Sequence, residues 1–532
     1  MKDLFIINIV KTTFHNFGYG LSHITSTNVQ PIIGYKRLFI SSLLFTLFSF
    51  NTYSQDIHFI KSYGNSGYDF GRDVKQDLDT GYIATGSSSS FHSGTADAFL
   101  LKVDSLGNFK WSYNYGGQET DWGESVVITH DSSYAIGGYT NSFGAGGFDF
   151  YLVRADKDGT PLWEKTYGGS DWDRAHSLIQ LADSGFVLVG DTYSHGNGNA
   201  DIYIVRTDKN GNTLWTTTYG GPENDFGNVV ILDGDSLVIA GGTESFGGGM
   251  QDGIILKYHI NGTFGWSKVV GHHKEDYFTS VAIYPSGEYL FSGTRNYNHF
   301  ANCNCKNDFW FYKTESFGTQ LKDTIKIGDD QIGDDIVHDL LIVNNDHIIY
   351  GGETTSWGTT DIALGYPDAW IGKLSNNFYP FWIYVNRFGS TNDDQIVALD
   401  ICYDEGVVGI GNLDYNSIGG ANMFISRFGT QNDIISFDIE TELVNDIITL
   451  SVNEGTGPLD LINVYPTIVN NELNIEGLVN EDRYSIYILD GKIIKQGTIS
   501  SPKQQINVEE LSKGLYIFNL QSQNKSYKFI KN

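Results

Sequence analysis

The sequence predicts an all-β fold in which four-stranded units repeat around a closed ring, with a small β domain behind them. Three observations predict it. Gly (62), Tyr (32) and Phe (33) are abundant among 532 residues while only 18% are charged, a composition that suits short strands joined by tight turns. An aromatic or aliphatic residue, then Gly, then an Asp a few positions on recurs seven times at a period near 52 residues, the signature of a repeat architecture. Two further markers recur independently and return the same number of copies.

The elements follow in order. Lys36-Arg37 precede an apolar run from Leu38 to Phe50, with polar residues beyond it. That is a secretory signal pattern, too short for the roughly 20 residues of a membrane span. Residues 1–54 are therefore expected to be a signal peptide with an N-terminal extension. The 35 residues ahead of the basic pair are long for such a segment, which points to a start assigned too far upstream. No other stretch reaches membrane-spanning length, so no transmembrane anchor is expected.

The repeat marker stands at Tyr63-Gly64…Asp69, Tyr115-Gly116…Asp121, Tyr167-Gly168…Asp173, Tyr219-Gly220…Asp225, Val270-Gly271…Asp276, Ile327-Gly328…Asp334 and Phe388-Gly389…Asp394. In the second copy, strands are expected at Glu124 to Thr129, Tyr134 to Tyr139 and Phe150 to Ala155, with a fourth carrying Trp163 and ending at Tyr167. Four short strands per unit of this length make an antiparallel meander, which is a propeller blade. The third strand checks the register. Its leading Asp recurs as Asp97, Asp149, Asp201, Asp252, Asp308 and Asp368, with Asn422 seventh. A cation follows five residues later, at Lys102, Arg154, Arg206, Lys257, Lys313, Lys373 and Arg427. The seventh unit has three strands, and a lone strand at Asp56 to Lys61 precedes the first. Pairing these ends hides both sheet edges. Residues 55–428 are thus expected to form a seven-bladed β-propeller, residues 429–460 a connector, and residues 461–532 a β-sandwich.

Charge narrows the partners. The net charge is −29. The first 54 residues carry +3 and residues 460–532 carry 0, leaving 22 basic against 54 acidic residues between them, a net of −32. That argues against nucleic acid and anionic membrane. Three cysteines, Cys303, Cys305 and Cys402, make no disulfide framework, and no spaced His or second Cys pair completes a zinc set.

The segments Asp104…Gly107…Trp111, Asp156…Gly159…Trp163 and Asp208…Gly211…Trp215 resemble the tryptophan repeats of quinoprotein propellers, one residue short in spacing. Gly137-Gly138 and Gly241-Gly242 are similar to kelch strand ends. Neither pattern is complete. Trp111, Trp163, Trp215 and Trp266 are expected to pack between blades.

The loops that enter the first strand and those joining the second to the third lie on one face of a propeller. They carry Asp69, Asp121, Asp173, Asp225, Asp276, Asp334 and Asp394, beside Ser/Gly runs such as Ser142-Phe143-Gly144 and Ser245-Phe246-Gly247. A ring of carboxylates can hold calcium or face sugar hydroxyls. Asp also fastens turns by accepting from backbone N–H groups, and an Asp present in every unit serves the repeat first. No other cofactor is indicated. Positions that break the symmetry deserve more weight as a specific site: in blade five His272-His273 and the loop from Asn296 to Lys306 with Cys303 and Cys305, or the blade-six insertion from Ile362 to Pro367. No nucleophile triad, nucleotide loop or metal-hydrolase motif is found.

The C-terminal segment carries Asn463-Val464-Tyr465-Pro466, the strand Tyr484 to Leu489 running into Asp490-Gly491, then Leu511-Ser512-Lys513-Gly514-Leu515-Tyr516 and Lys528-Phe529-Ile530-Lys531. In order, these resemble the C-terminal sorting domain (type A) of the type IX secretion system of Bacteroidota. The usual second Pro is replaced by Thr467-Ile468. The resemblance implies a compact β-sandwich, the secretion machinery as partner, with Tyr465, Pro466, Asp490, Gly491, Lys513, Gly514, Leu515 and Tyr516 in the signal, and delivery to the cell surface or medium. The expectation is an exported binding protein whose propeller presents a scaffold to a glycan, a protein or a cation. The alternatives are a polysaccharide-active enzyme with acids on the channel rim and a structural surface component.

Overall fold

The computed structural model describes most of residues 59–430 and the strands between residues 463 and 531. Residues 1–58 and 431–462 lie outside the described set, as do several loops, among them 91–94, 297–306, 356–366 and 414–421. The signal segment, nearly all of the connector, His272-His273, Cys303 and Cys305 therefore fall outside it. Among the described residues no helix is long and apolar enough to cross a membrane.

The repeat unit folds as an antiparallel meander. In the first sheet Asp69–Gln76, Tyr82–Ser88, Asp97–Val103 and Phe109–Tyr115 pair in chain order, and five further sheets repeat this. The seventh takes Asp394–Ile401, Gly406–Leu413 and Asn422–Thr430, and its fourth strand is Phe59–Tyr63 from the other end of the chain. Phe59 stands opposite Arg427 and Tyr63 opposite Met423. That pairing supplies the outer neighbour that Asn422–Thr430 would otherwise lack. The first strands of all seven sheets line one cavity of about 520 Å³. These sheets are the blades of a β-propeller.

Neighbouring blades lock through the markers that repeat in the sequence. The Tyr of each early marker donates its hydroxyl to a Gly carbonyl in the last hairpin turn of the following sheet: Tyr63 to Gly107 (2.7 Å), Tyr115 to Gly159 (2.5 Å) and Tyr167 to Gly211 (2.6 Å). Gly159 has φ +86°, and a Cβ there would sit 2.7 Å from the Trp111 ring, so only Gly meets both demands. The Trp residues do pack between blades. Trp163 meets Phe186 and Trp111 meets Tyr134 of the next sheet. Each apolar cluster spans two sheets; Phe150, Leu152 and Tyr167 join Leu178, Phe186 and Val205, for example.

The repeated cation of the third strand has a partner that the repeat markers did not reveal. It reaches an acid in the hairpin turn between the first two strands of its own sheet: Lys102 to Asp77 and Asp79, Arg154 to Asp131, Arg206 to Asp183, Lys257 to Asp233, Lys313 to Glu288 and Arg427 to Asp404. Each clamp pins the end of the sheet remote from the Asp markers.

Behind the propeller, Asn463–Tyr465, Glu472–Glu476 and Lys503–Asn507 form a three-stranded sheet. Ile468–Val469, Lys525–Lys531, Gly514–Leu520, Asp482–Ile488 and Ile493–Ile499 form a five-stranded one. One core joins them, with Leu473, Ile475 and Ile506 from the first and Tyr484, Ile486 and Phe518 from the second. Tyr516 is buried and donates to the Ser512 carbonyl at 2.7 Å, while Lys513 is exposed. Pro466, Asp490 and Gly491 lie outside the described residues.

Candidate functional site

Six of the seven marker Asp residues open the first strands and are buried. Asp121 shows how they are used. Its Oδ1 accepts from Thr140 Oγ1 across the hairpin, and its Oδ2 from the Gly117 amide at 2.9 Å and Ser142 Oγ at 2.7 Å. Asp173 takes Thr192, Ser194 and the Gly169 amide, and Asp225 takes Thr243, Ser245 and the Gly221 amide. In the sixth blade this place belongs to Asp335, which is buried, pairs with Thr354 and accepts from its hydroxyl. Asp334, the expected residue, lies one position earlier; the run of two Asp residues hid the register. None of the marker Asp residues lines the cavity. Among the described residues no group of three or more His, Cys, Asp or Glu side chains is placed to hold a metal ion.

The third-strand Asp residues meet the first-strand Asp of the next sheet at the seams between blades. A Cβ on Gly168 would lie 2.1 Å from Asp149 Oδ1 and 2.4 Å from Asp173 Oδ2, and one on Gly220 would lie 1.8 Å from Asp201 Oδ1 and 2.6 Å from Asp225 Oδ2. The Gly of the marker thus lets two carboxyls close around the backbone. Burial and the facing Asp225 push the Asp201 carboxyl above its ordinary range. Burial, and to a smaller degree Asp173, do the same at Asp149.

Every first strand carries a β-bulge at the same place. The register slips between Gly71/Asp73, Gly123/Ser125, Ala175/Ser177, Gly227/Val229, Phe278/Ser280, Val337/Asp339 and Ile396/Ala398. The skipped residue is Arg72, Glu124, His176, Asn228, Thr279, His338 and Val397 in turn, and all seven line the cavity. A bulge re-aims a side chain at the expense of one ladder pairing. Here the repeat keeps the bulge and changes the residue it presents. Asn228 Nδ2 donates to the Phe278 carbonyl (2.8 Å) and Thr279 Oγ1 to the Val337 carbonyl (2.7 Å), each in the next sheet. Arg72 Nε lies 3.6 Å from Glu124 Oε2. Burial, reinforced by the Arg72 charge, holds His338 down at about 4, and its Nε2 is buried without a hydrogen bond.

Two residues before each bulge, the cross-strand pairs just inside those of the marker Asp residues also differ from blade to blade. They are Phe70/Ser87, Trp122/Tyr139, Arg174/Asp191, Phe226/Gly242, Tyr277/Thr294, Ile336/Glu353 and Gln395/Asn412. In the first two blades the aromatic members of these pairs, with their loop neighbours, build a row of touching rings that reaches Trp172 ahead of the third blade. Tyr68 stacks on Phe70 (6.2 Å), Phe70 on Trp122 (5.7 Å) and Trp122 on Tyr139 (6.1 Å). Tyr139 meets Phe148 edge-on (5.1 Å), and Phe148 meets Trp172 (5.9 Å). Tyr68 is 58% exposed and Trp172 50%. The Arg72 guanidinium lies over the Trp122 ring at 5.0 Å, so the row runs up to the bulge residues.

Beside the row, Asp191 is fully buried and accepts from Arg174 at 3.0 Å, with His176 Nε2 at 2.7 Å. Burial alone would raise the Asp191 carboxyl; the His176 hydrogen bond and charge and the Arg174 guanidinium outweigh it and hold the group below its usual range. Across the ring, burial together with Asp393 and Asp334 pushes Glu353 up to about 7. The sequence signal for the bulge residues is a break in the inward–outward alternation three positions after the marker Asp, as in His176-Ser177, Thr279-Ser280 and His338-Asp339.

Comparison with known proteins adds the following. Residues 463–532 match the family of secretion system C-terminal sorting domains. A stretch of 172 residues is 28% identical to the regulatory protein FlaEY of Caulobacter vibrioides, covering 27% of this chain and 18% of that one. Among solved structures, the chain is similar to PorZ, an essential surface component of the type IX secretion system of Porphyromonas gingivalis, at 12% identity and a TM-score of 0.38, over 89% of this chain and 60% of that one. It is also similar to the Pan2 WD40 domain of Neurospora crassa, at 8% identity and a TM-score of 0.41, over 72% and 99% of the two chains. The β-propeller domain of the trilobed protease of Pyrococcus furiosus follows at 11% identity and 0.39, over 71% and 99%. The fold itself rests on the strand pairing. The sorting domain supports export through the type IX route, to the cell surface or the medium.

Proposed function

We propose that this chain is an exported glycan-binding protein: a closed seven-bladed propeller that carries its ligand site at the cavity mouth, and a type A sorting sandwich that delivers it. The observation that supports the binding role is the aromatic row from Tyr68 to Trp172. The row is exposed at both ends, at Tyr68 and Trp172, and partly exposed between them; such rings combine apolar faces with polar edges, which suits the apolar faces and hydroxyl rims of sugars. The Arg174–Asp191–His176 cluster and Ser hydroxyls beside the row supply polar contacts. The marker Asp residues serve as turn fasteners, and calcium has no part in recognition.

The test is a glycan-array screen of the full chain, with calcium and with chelator, for wild type, Trp122→Ala and Trp172→Ala. Reproducible binding that survives chelation and falls at least tenfold in the Trp variants is the expected result. Binding untouched by both Trp changes contradicts the aromatic site, and binding lost on chelation contradicts the calcium-free reading. The enzyme alternative draws its support from Glu353, whose value near 7 suits a general acid; it requires turnover of a bound glycan that is lost in Glu353→Gln.

A further inference from the structure

We propose that the seven bulge residues form a recognition site for a single neutral sugar unit at the end of a glycan chain, seated in the central cavity while the following units lie along the aromatic row. This rests on the glycan-binding reading and extends it to the class of unit recognised and the way the chain enters.

Four observations carry it. The cavity, about 520 Å³, falls in the range of small-ligand pockets. Its lining changes at every bulge while the backbone device stays the same, so the fold needs the bulge but not the particular side chain. A residue needed only for folding would repeat, as the marker Asp does. The seven side chains also suit a neutral polyol. Arg72 stands against Glu124 at 3.6 Å, and Lys75 Nζ is taken by Asp73 at 2.7 Å. The remaining bulge residues are His176, Asn228, Thr279, His338 and Val397; Asn228 and Thr279 donate to the next sheet, which leaves their side-chain oxygens to accept, and Val397 adds one apolar contact. Finally, His338 brings to the cavity a buried Nε2 that makes no hydrogen bond, a group that a ligand hydroxyl would satisfy.

The geometry of approach follows from Arg72. It occupies the bulge of the first blade and lies over Trp122, in the middle of the ring row. A chain whose end unit sits in the cavity therefore passes Arg72 and joins the row at Trp122. The negative charge of the whole propeller disfavours an acidic unit there.

Saturation-transfer NMR on the full chain, with glucose, galactose, mannose and N-acetylglucosamine beside glucuronic and galacturonic acid, tests this. At least one neutral sugar is expected to bind, and His338→Ala and Asn228→Ala, on different blades of the same cavity, are each expected to weaken it about tenfold. Near-ultraviolet circular dichroism checks that both variants keep the wild-type fold. Equal signals from both folded variants would overturn the bulge site, and a preference for the acids would overturn the neutral class. Array binding that persists while no monosaccharide binds would overturn end-unit recognition and leave the aromatic row standing. Absence of any glycan binding would overturn the parent reading itself.

Discussion

At the scale of single residues, the seams between blades make predictions of opposite sign at one place. Asp201 is 1% exposed and its Oδ1 has no hydrogen-bond partner among the described residues, with Asp225 on the far side of Gly220. Two buried carboxyls this close do not both ionise cheaply. In the seventh seam the equivalent residue is Asn422, facing Asp69 across Gly64, a neutral group of the same shape. The folded Asp201 holds its proton to higher pH than an unfolded Asp, whose value is about 3.9. Between those two values the folded chain binds more protons, so stability falls as pH rises through the window. Asp201→Asn should therefore stabilise the chain at neutral pH by about 1 kcal/mol and flatten that slope, measured by denaturant melts at several pH values. Gly220→Ala should destabilise it by about 1–3 kcal/mol, because the new Cβ would strike both carboxyls.

At the scale of the strand and hairpin, the markers were legible in sequence because they are symmetric. Tyr63, Tyr115 and Tyr167 repeat with the Gly turns that accept their hydroxyl bonds, so period, strand count and closure could be read directly. The bulge residues were only partly legible: the alternation breaks at them, but a bulge shifts register without a fixed residue type and the side chain varies around the ring. The doubled Asp334-Asp335 misled for the same reason, since only strand pairing shows which of the two faces Thr354. The cation clamp was half visible: Arg206 repeats, but its partner Asp183 sits in a turn whose acids vary in spacing. Arg206 is buried and Asp183 largely exposed. Asp183→Ala should cost about 1–2 kcal/mol by leaving the guanidinium with carbonyl partners only, read as a shift in the urea midpoint at unchanged slope.

At the scale of the whole molecule, a symmetric scaffold carries an asymmetric face. Closure depends on Phe59–Tyr63 pairing with Asn422–Thr430. Deleting residues 59–63 would bare that edge and is expected to produce oligomers on size-exclusion chromatography with a broader melt; an unchanged monomer would show that closure contributes little. Removing residues 463–532 should leave the protein inside the cell envelope, by fractionation, with the propeller still folded. The markers repeated in each blade made the scaffold readable, whereas the face around the cavity emerges only when the first strands are brought together.

The central claim is that ligand recognition belongs to the cavity mouth and its unlike side chains. Titration calorimetry of the strongest array glycan against wild type, Trp122→Ala, His338→Ala and the scaffold variant Asp201→Asn tests it most directly. The account predicts that the first two variants lose at least tenfold in affinity while Asp201→Asn binds as wild type does. Loss in Asp201→Asn with full binding by the other two would move the site to the blade seams and contradict the account.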